Sequence, residues 1–111
     1  MKKRSTELFI KDILDCIESI EAYCSILSFK DFLEDRKTQD AVLRNFEIIG
    51  EAIKNLPDDF RKNLPQIPWS EAARMRDLIA HHYFEVDYGL IWETIHKSLP
   101  PFKEDIKRLL K

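Results

Sequence analysis

Apolar residues recur along this chain at the three- and four-residue steps of a helix face. From about Thr6 to Leu27, a stripe of Ile13, Ile17, Ile20, Cys24 and Leu27 is widened by Leu8, Phe9 and Leu14, while Asp12, Asp15 and Glu18 occupy the solvated side. A break follows at Ser28 to Lys37, where Phe29, Phe32 and Leu33 read as a short turn docking on the core. A second long helix is expected from about Thr38 to Leu56, capped by Thr38, with Val42, Phe46, Ile49, Ile53 and Leu56 as its apolar stripe. Gly50 in its middle costs up to about 1 kcal/mol against Ala, which points to close helix packing. Pro57 stops this helix, and Asp58 to Leu64 reads as one helical turn before a loop from Pro65 to Pro68.

The third helix begins near Pro68 or Trp69, since proline is tolerated in a first turn, and runs through Ala72, Met75 and Ile79 toward His82. The last element starts near Asp87 and gains regularity from Leu90. It continues through Trp92, Ile95 and Leu99, with a kink or break expected at Pro100–Pro101. Phe102, Ile106, Leu109 and Leu110 form its terminal segment. There is no internal repeat. The expectation is an all-α, up-and-down bundle of four main helices plus short helical turns, forming a single domain over residues 1–111.

Composition narrows the function classes. Only two Gly in 111 residues argue against a turn-rich β fold, and a 34% charged share fits a globular domain. No apolar run approaches the roughly 20 residues of a membrane helix. Acidic residues soon interrupt the basic start, MKKRSTELFIKDILDC, so it is not read as a signal peptide, and the expected location is cytoplasmic without membrane contact. On one helix, Cys16 and Cys24 would lie about 12 Å apart along the axis, too far for a disulfide. They read as buried thiols. Two scattered Cys and three late His give no zinc spacing, so no metal is expected.

A net charge of −2 provides no global attraction for nucleic acid. From Ser5 to Asp35 there are eight acids against two lysines, whereas Arg36 to Lys111 is nearly balanced. A nucleic acid would therefore avoid the first helix and bind locally on the later part.

The candidate chemistry lies in "RDLIAHHY", Arg76 to Tyr83. Arginine grips phosphate, histidine moves protons near neutral pH, and tyrosine carries a nucleophilic hydroxyl. The structural alternative is a helix end whose Arg and His complement the macrodipole and whose Tyr buries its ring. Helix geometry tests convergence. Arg76 and Tyr83 fall nearly on one stripe, but His81 lies about 140° from Arg76 in an ideal helix. Joint action on one phosphate needs local distortion or a second copy across a two-fold axis, so the spacing favours a dimeric site.

The surrounding segment "PWSEAARMRDLIAHHYFEVDYGLIWETIHKSLP", Pro68 to Pro100, resembles the HEPN superfamily, and within it the HepT-type toxins paired with minimal nucleotidyltransferases. Their signature is Arg, four to six residues, then His, often followed by x-Tyr, matched here by Arg76, His81 and Tyr83. The flanks extend the match: "PW" before the helix, "YFEVDYGLIW" after it, and "IIGEAIKNLP" (Ile48 to Pro57) on the preceding long helix. Asp77 stands where Asn or Asp commonly follows the arginine.

The resemblance implies a metal-independent, cofactor-free endoribonuclease acting on RNA and not DNA, as a homodimer with paired motifs facing a cleft. It also implies a toxin whose partner, a minimal nucleotidyltransferase antitoxin, transfers AMP groups to Tyr83. Arg76 would hold the phosphate and His81 would act as acid or base, with His82 as the rival histidine, otherwise structural. Glu51 could order the Arg76 guanidinium from the neighbouring helix, and Asp77 could support it; either could equally be an ordinary polar helix residue. Trp69 and Trp92 read as core or interface anchors, and His96 as a surface residue. Two other function classes stay open: a non-catalytic nucleotide-binding or regulatory subunit of a nucleotidyltransferase complex, and a dimeric helical scaffold whose motif caps a helix.

Overall fold

The computed structural model describes residues 4–81 and 85–111, without the side chains of residues 78, 80 and 81. Its elements are α1 (Thr6–Cys24), α2 (Phe29–Leu33), α3 (Arg36–Lys54), α4 (Asp58–Lys62), α5 (Trp69–His81), α6 (Tyr88–Glu93), a π-helical turn (Thr94–Ser98) and α7 (Leu99–Leu109). No strand occurs among the described residues, and the chain is all-α as expected. Among those residues no helix is long and apolar enough to cross a membrane.

Short polar side chains set where the helices begin. Ser5 accepts from the Leu8 amide to open α1, and a reciprocal Ser28–Asp31 capping box opens α2. α3 corrects an expectation. It starts at Arg36, capped by Asp35, whose carboxylate accepts from the Thr38 amide at 3.0 Å and from the Thr38 hydroxyl at 2.6 Å. Thr38 is therefore the recipient of the cap, because a carboxylate three residues earlier satisfies both of its donors. α1 ends at Cys24, three residues before the expected Leu27.

Of the kink or break expected at Pro100–Pro101, no break occurs, and the helix runs on through both prolines. Both prolines lie in the first turn of α7, where a missing amide hydrogen costs little. The irregularity falls upstream, in the π turn, where the Leu99 amide donates to the Thr94 carbonyl five residues back. At the other end of this stretch, Asp87 caps α6 through the Leu90 amide.

α3 is the central helix, packing on α1 along one side and α5 along the other, while α7 closes on α1. The α1 stripe buries Ile13, Ile17, Ile20 and Cys24 together with Ile10 and Cys16; Leu8 stays exposed. Val42, Phe46, Ile49 and Ile53 of α3 meet them in the core, each fully buried aliphatic side chain contributing about 1.5–3 kcal/mol. Of the three apolar residues around α2, Phe32 is fully buried while Phe29 and Leu33 remain partly exposed. Gln39 is the buried polar residue beside it, and its amide donates to the Phe32 and Leu33 carbonyls that end α2. Trp69 is buried against Phe60 and Phe102, and Trp92 stacks on Phe29 and Phe32, so both act in packing. Cys16 and Cys24 are free and buried.

Candidate functional site

The seam between α3 and α5 is closest at Gly50. A Cβ placed there would intrude on Arg76 Cβ, and would lie 3.0 Å from Arg76 Cγ and 3.5 Å from the Ala73 carbonyl. The helix tolerates the glycine's entropic cost because any larger residue would push α5 away. This answers why a glycine sits in the middle of a 19-residue helix.

At that spacing, side chains one helix turn apart on α3 reach the start of the RDLIAHHY stretch. Arg76 Nη2 meets Glu51 Oε1 at 2.5 Å, and Arg76 Nη1 lies 3.4 Å from Asp77 Oδ1. The same Asp77 oxygen accepts from Lys54 Nζ at 3.1 Å. Two carboxylates and two cations therefore alternate across the seam. Their side chains are 33% exposed for Arg76, 42% for Lys54, 45% for Asp77 and 52% for Glu51, open enough for an external anion to reach the guanidinium. The hydrogen bond from Lys54, with the Arg76 guanidinium beside it, holds the Asp77 carboxyl below its ordinary value of 3.8. A depressed carboxylate keeps its contribution above that ordinary value and loses it as pH falls through the lower, folded one. The Asp77 carboxylate is thus charged at neutral pH, and its tie to Lys54 weakens as acid protonates it.

Of the residues singled out from the sequence, the fold brings Arg76, Asp77 and Glu51 together. Lys54 was not among them, although it lies three residues after Glu51 on the same helix face, a readable signal once the helices are paired. His81 ends α5, but its side chain, together with His82 and Tyr83, lies outside the described residues. His96 is exposed, with its ring 4.2 Å from that of Trp92 and its Nδ1 2.9 Å from the Trp92 carbonyl. Among the described residues, no three His, Cys, Asp or Glu side chains gather as a metal site.

A cavity of about 210 Å³ opens between α3, α5 and the α6–α7 stretch, walled by residues such as Phe46, Ile49, Met75 and Leu99. Arg76 is not on its wall. The arginine sits instead on an open seam, a geometry better suited to a polymer strand than to an enclosed small molecule.

A model of the family described as "Ribonuclease HepT-like" matches residues 13–109. A "Probable ribonuclease HepT" of Thermococcus cleftensis is 48% identical over 109 residues, covering 98% of this chain and 99% of that protein. A "Putative RNase" of Methanocaldococcus jannaschii is 41% identical over 111 residues, covering 100% of this chain and 92% of that protein. No solved structure matches the chain.

Proposed function

The chain belongs to the ribonuclease HepT-like family of the HEPN superfamily, and from that premise we propose that it is a metal-independent endoribonuclease centred on Arg76 and His81. The observation that carries this reading is the Arg76 guanidinium, held by Glu51 and Asp77 on an open seam instead of buried in the core. A guanidinium so oriented has lost much of the rotamer freedom it would otherwise surrender on gripping a phosphate.

In the proposed reaction, a ribose 2′-oxygen forms a bond to the adjacent phosphorus as the bond to the 5′-oxygen breaks. One histidine takes the 2′-hydroxyl proton and a second gives a proton to the leaving 5′-oxygen, leaving a 2′,3′-cyclic phosphate and a 5′-hydroxyl. Arg76 stabilises the charge that gathers on the phosphoryl oxygens. α5 is continuous from Trp69 to His81, so positions 76 and 81 differ by about 140° around its axis. That register favours a cleft built from two copies of the chain, in which each His81 works beside the other copy's Arg76. His82 has a structural part in this reading. Tyr83 is the proposed acceptor of AMP from a partner nucleotidyltransferase, an adduct that would fill the cleft and compete for Arg76. The single-domain protein would then be a cytoplasmic toxin kept silent by its antitoxin.

The test is cleavage of total cellular RNA in EDTA by protein shown by intact mass to carry no AMP. Wild type is expected to cut, and Arg76→Ala and His81→Ala are each expected to lose about a hundredfold or more. Undiminished cleavage by both variants would refute the site. Saturable nucleotide binding by dimeric wild type without any cleavage would replace the nuclease by a binding module.

A further inference from the structure

Lys54 and Arg76 converge on one atom. The legs from Asp77 Oδ1 are 3.1 Å to Lys54 Nζ and 3.4 Å to Arg76 Nη1, so the two nitrogens lie no more than about 6.5 Å apart. A tetrahedral phosphate accepting at about 2.8 Å from each nitrogen spans such a gap with two of its oxygens. Two cations this close repel each other unless an anion lies between them, and the Asp77 carboxylate fills that place.

Charge decides what Lys54 does for the site. Arg76 is contacted by two carboxylates, Glu51 and Asp77. Those three residues alone carry a formal charge of −1 and would repel a phosphodiester. Lys54 brings the group to zero, so that an approaching phosphate meets a guanidinium and an ammonium without a surplus of negative charge around them. As a mere tie between α3 and α5, an exposed pair of this kind would contribute little.

We propose that Lys54 is a second phosphate-binding residue, gripping the same RNA phosphodiester as Arg76, and that Asp77 is the positioning residue that holds the two cations convergent. The proposal rests on the ribonuclease reading and adds a residue to it.

The experiment uses the full-length protein and a pool of random-sequence 2′-O-methyl RNA oligonucleotides, which lack the attacking hydroxyl and so report binding alone. Kd is measured over a range of salt for wild type, Lys54→Ala, Lys54→Arg and Asp77→Asn, with thermal melts beside each and cleavage of unmodified RNA in parallel. Lys54→Ala is expected to weaken binding about tenfold and to flatten the slope of log Kd against log salt by about 0.7, the share of one lost phosphate contact on a single strand. Lys54→Arg is expected to restore both. Asp77→Asn keeps both cations and raises the group's formal charge to +1, so binding should hold or tighten with little change in the salt slope while cleavage per bound RNA falls, the mark of lost positioning. A purely structural Lys54 would shift the melt and leave the salt slope alone. If wild type cleaves RNA while Lys54→Ala binds with the wild-type affinity and slope, this inference fails and the ribonuclease reading stands. If wild type neither binds nor cleaves, both fall.

Discussion

Toward α1, the central helix α3 faces a stripe of six buried residues, four of them isoleucine. Toward α5 the core continues through buried Met75 and Ile79, but the rim of that seam adds a glycine, a carboxylate and a lysine, matched by an arginine and an aspartate. The first side removes apolar surface from water, and any well-shaped set of aliphatic side chains would serve there. The rim of the second follows a different logic. Its charges are a third to a half exposed, so the ion pairs stabilise the fold only weakly, yet their spacing depends on one missing Cβ. The α1 side contributes packing, whereas the α5 side adds oriented charge at the rim of its packing, so damage to the core and to that rim should be separable.

The strongest test of that separation is Ile17→Ala on the α1 side. Ile17 is wholly buried, and its truncation is expected to cost about 2–5 kcal/mol in urea unfolding while leaving RNA cleavage per folded molecule unchanged. A cost well below 1 kcal/mol would mean that this side is not close-packed. Gly50→Ala is the counterpart toward α5. Overpacking against Arg76 costs about 1–3 kcal/mol, from which up to about 1 kcal/mol of gained helix propensity is subtracted. Its net effect on stability is therefore smaller than that of Ile17→Ala, but cleavage should fall with it because Arg76 is levered away from Glu51. Unchanged stability and activity in Gly50→Ala would show a seam that yields without consequence.

These two positions also show what could be read from the chain alone. Both were legible, Ile17 from the apolar period and Gly50 as a glycine too costly to sit mid-helix without a packing reason. The start of α3 was not, because Asp35 and Thr38 are both capping residue types and only the carboxylate's contacts decide between them. The prolines after Leu99 announced a break that a π turn absorbs upstream, using backbone bonds that leave no mark in the side-chain pattern. At the site, Arg76, Asp77 and Glu51 were visible as candidates. Lys54 was not, because its contact spans 23 residues and exists only once α3 and α5 are paired. His81, His82 and Tyr83 rest on the motif itself.

A further, milder test probes how dry the α1 side is. Burial, and then the nearby charges of Asp12 and Asp15, push the Cys16 thiol from its ordinary 9.0 up to about 11. A raised thiol contributes stability that is complete below 9.0 and lost as pH rises through about 11. Iodoacetamide labelling at pH 8 should therefore be slow and should accelerate only as urea opens the helix pair. Fast labelling of the folded protein would place Cys16 in contact with water and weaken the contrast between the two sides of α3.

The smallest effect sets two Lys–carboxylate ties against each other. Lys103 of α7 meets Glu21 of α1 at 2.7 Å, an interhelical contact like Lys54–Asp77 at 3.1 Å, whereas the Asp77 carboxylate is shared with Arg76. The hydrogen bond to Glu21 raises the Lys103 amine above its ordinary 10.5, so the pair's contribution is complete below that value and fades as pH rises through the higher one. Lys103→Ala should cost no more than about 1 kcal/mol at neutral pH, as surface pairs do, and should leave RNA binding and its salt slope untouched. Lys54→Ala should do the reverse, moving the salt slope more than the melt. If both variants altered RNA binding alike, the effect of Lys54 would be general electrostatics, and the distinction between a tie that joins helices and one that aims cations at a phosphate would collapse.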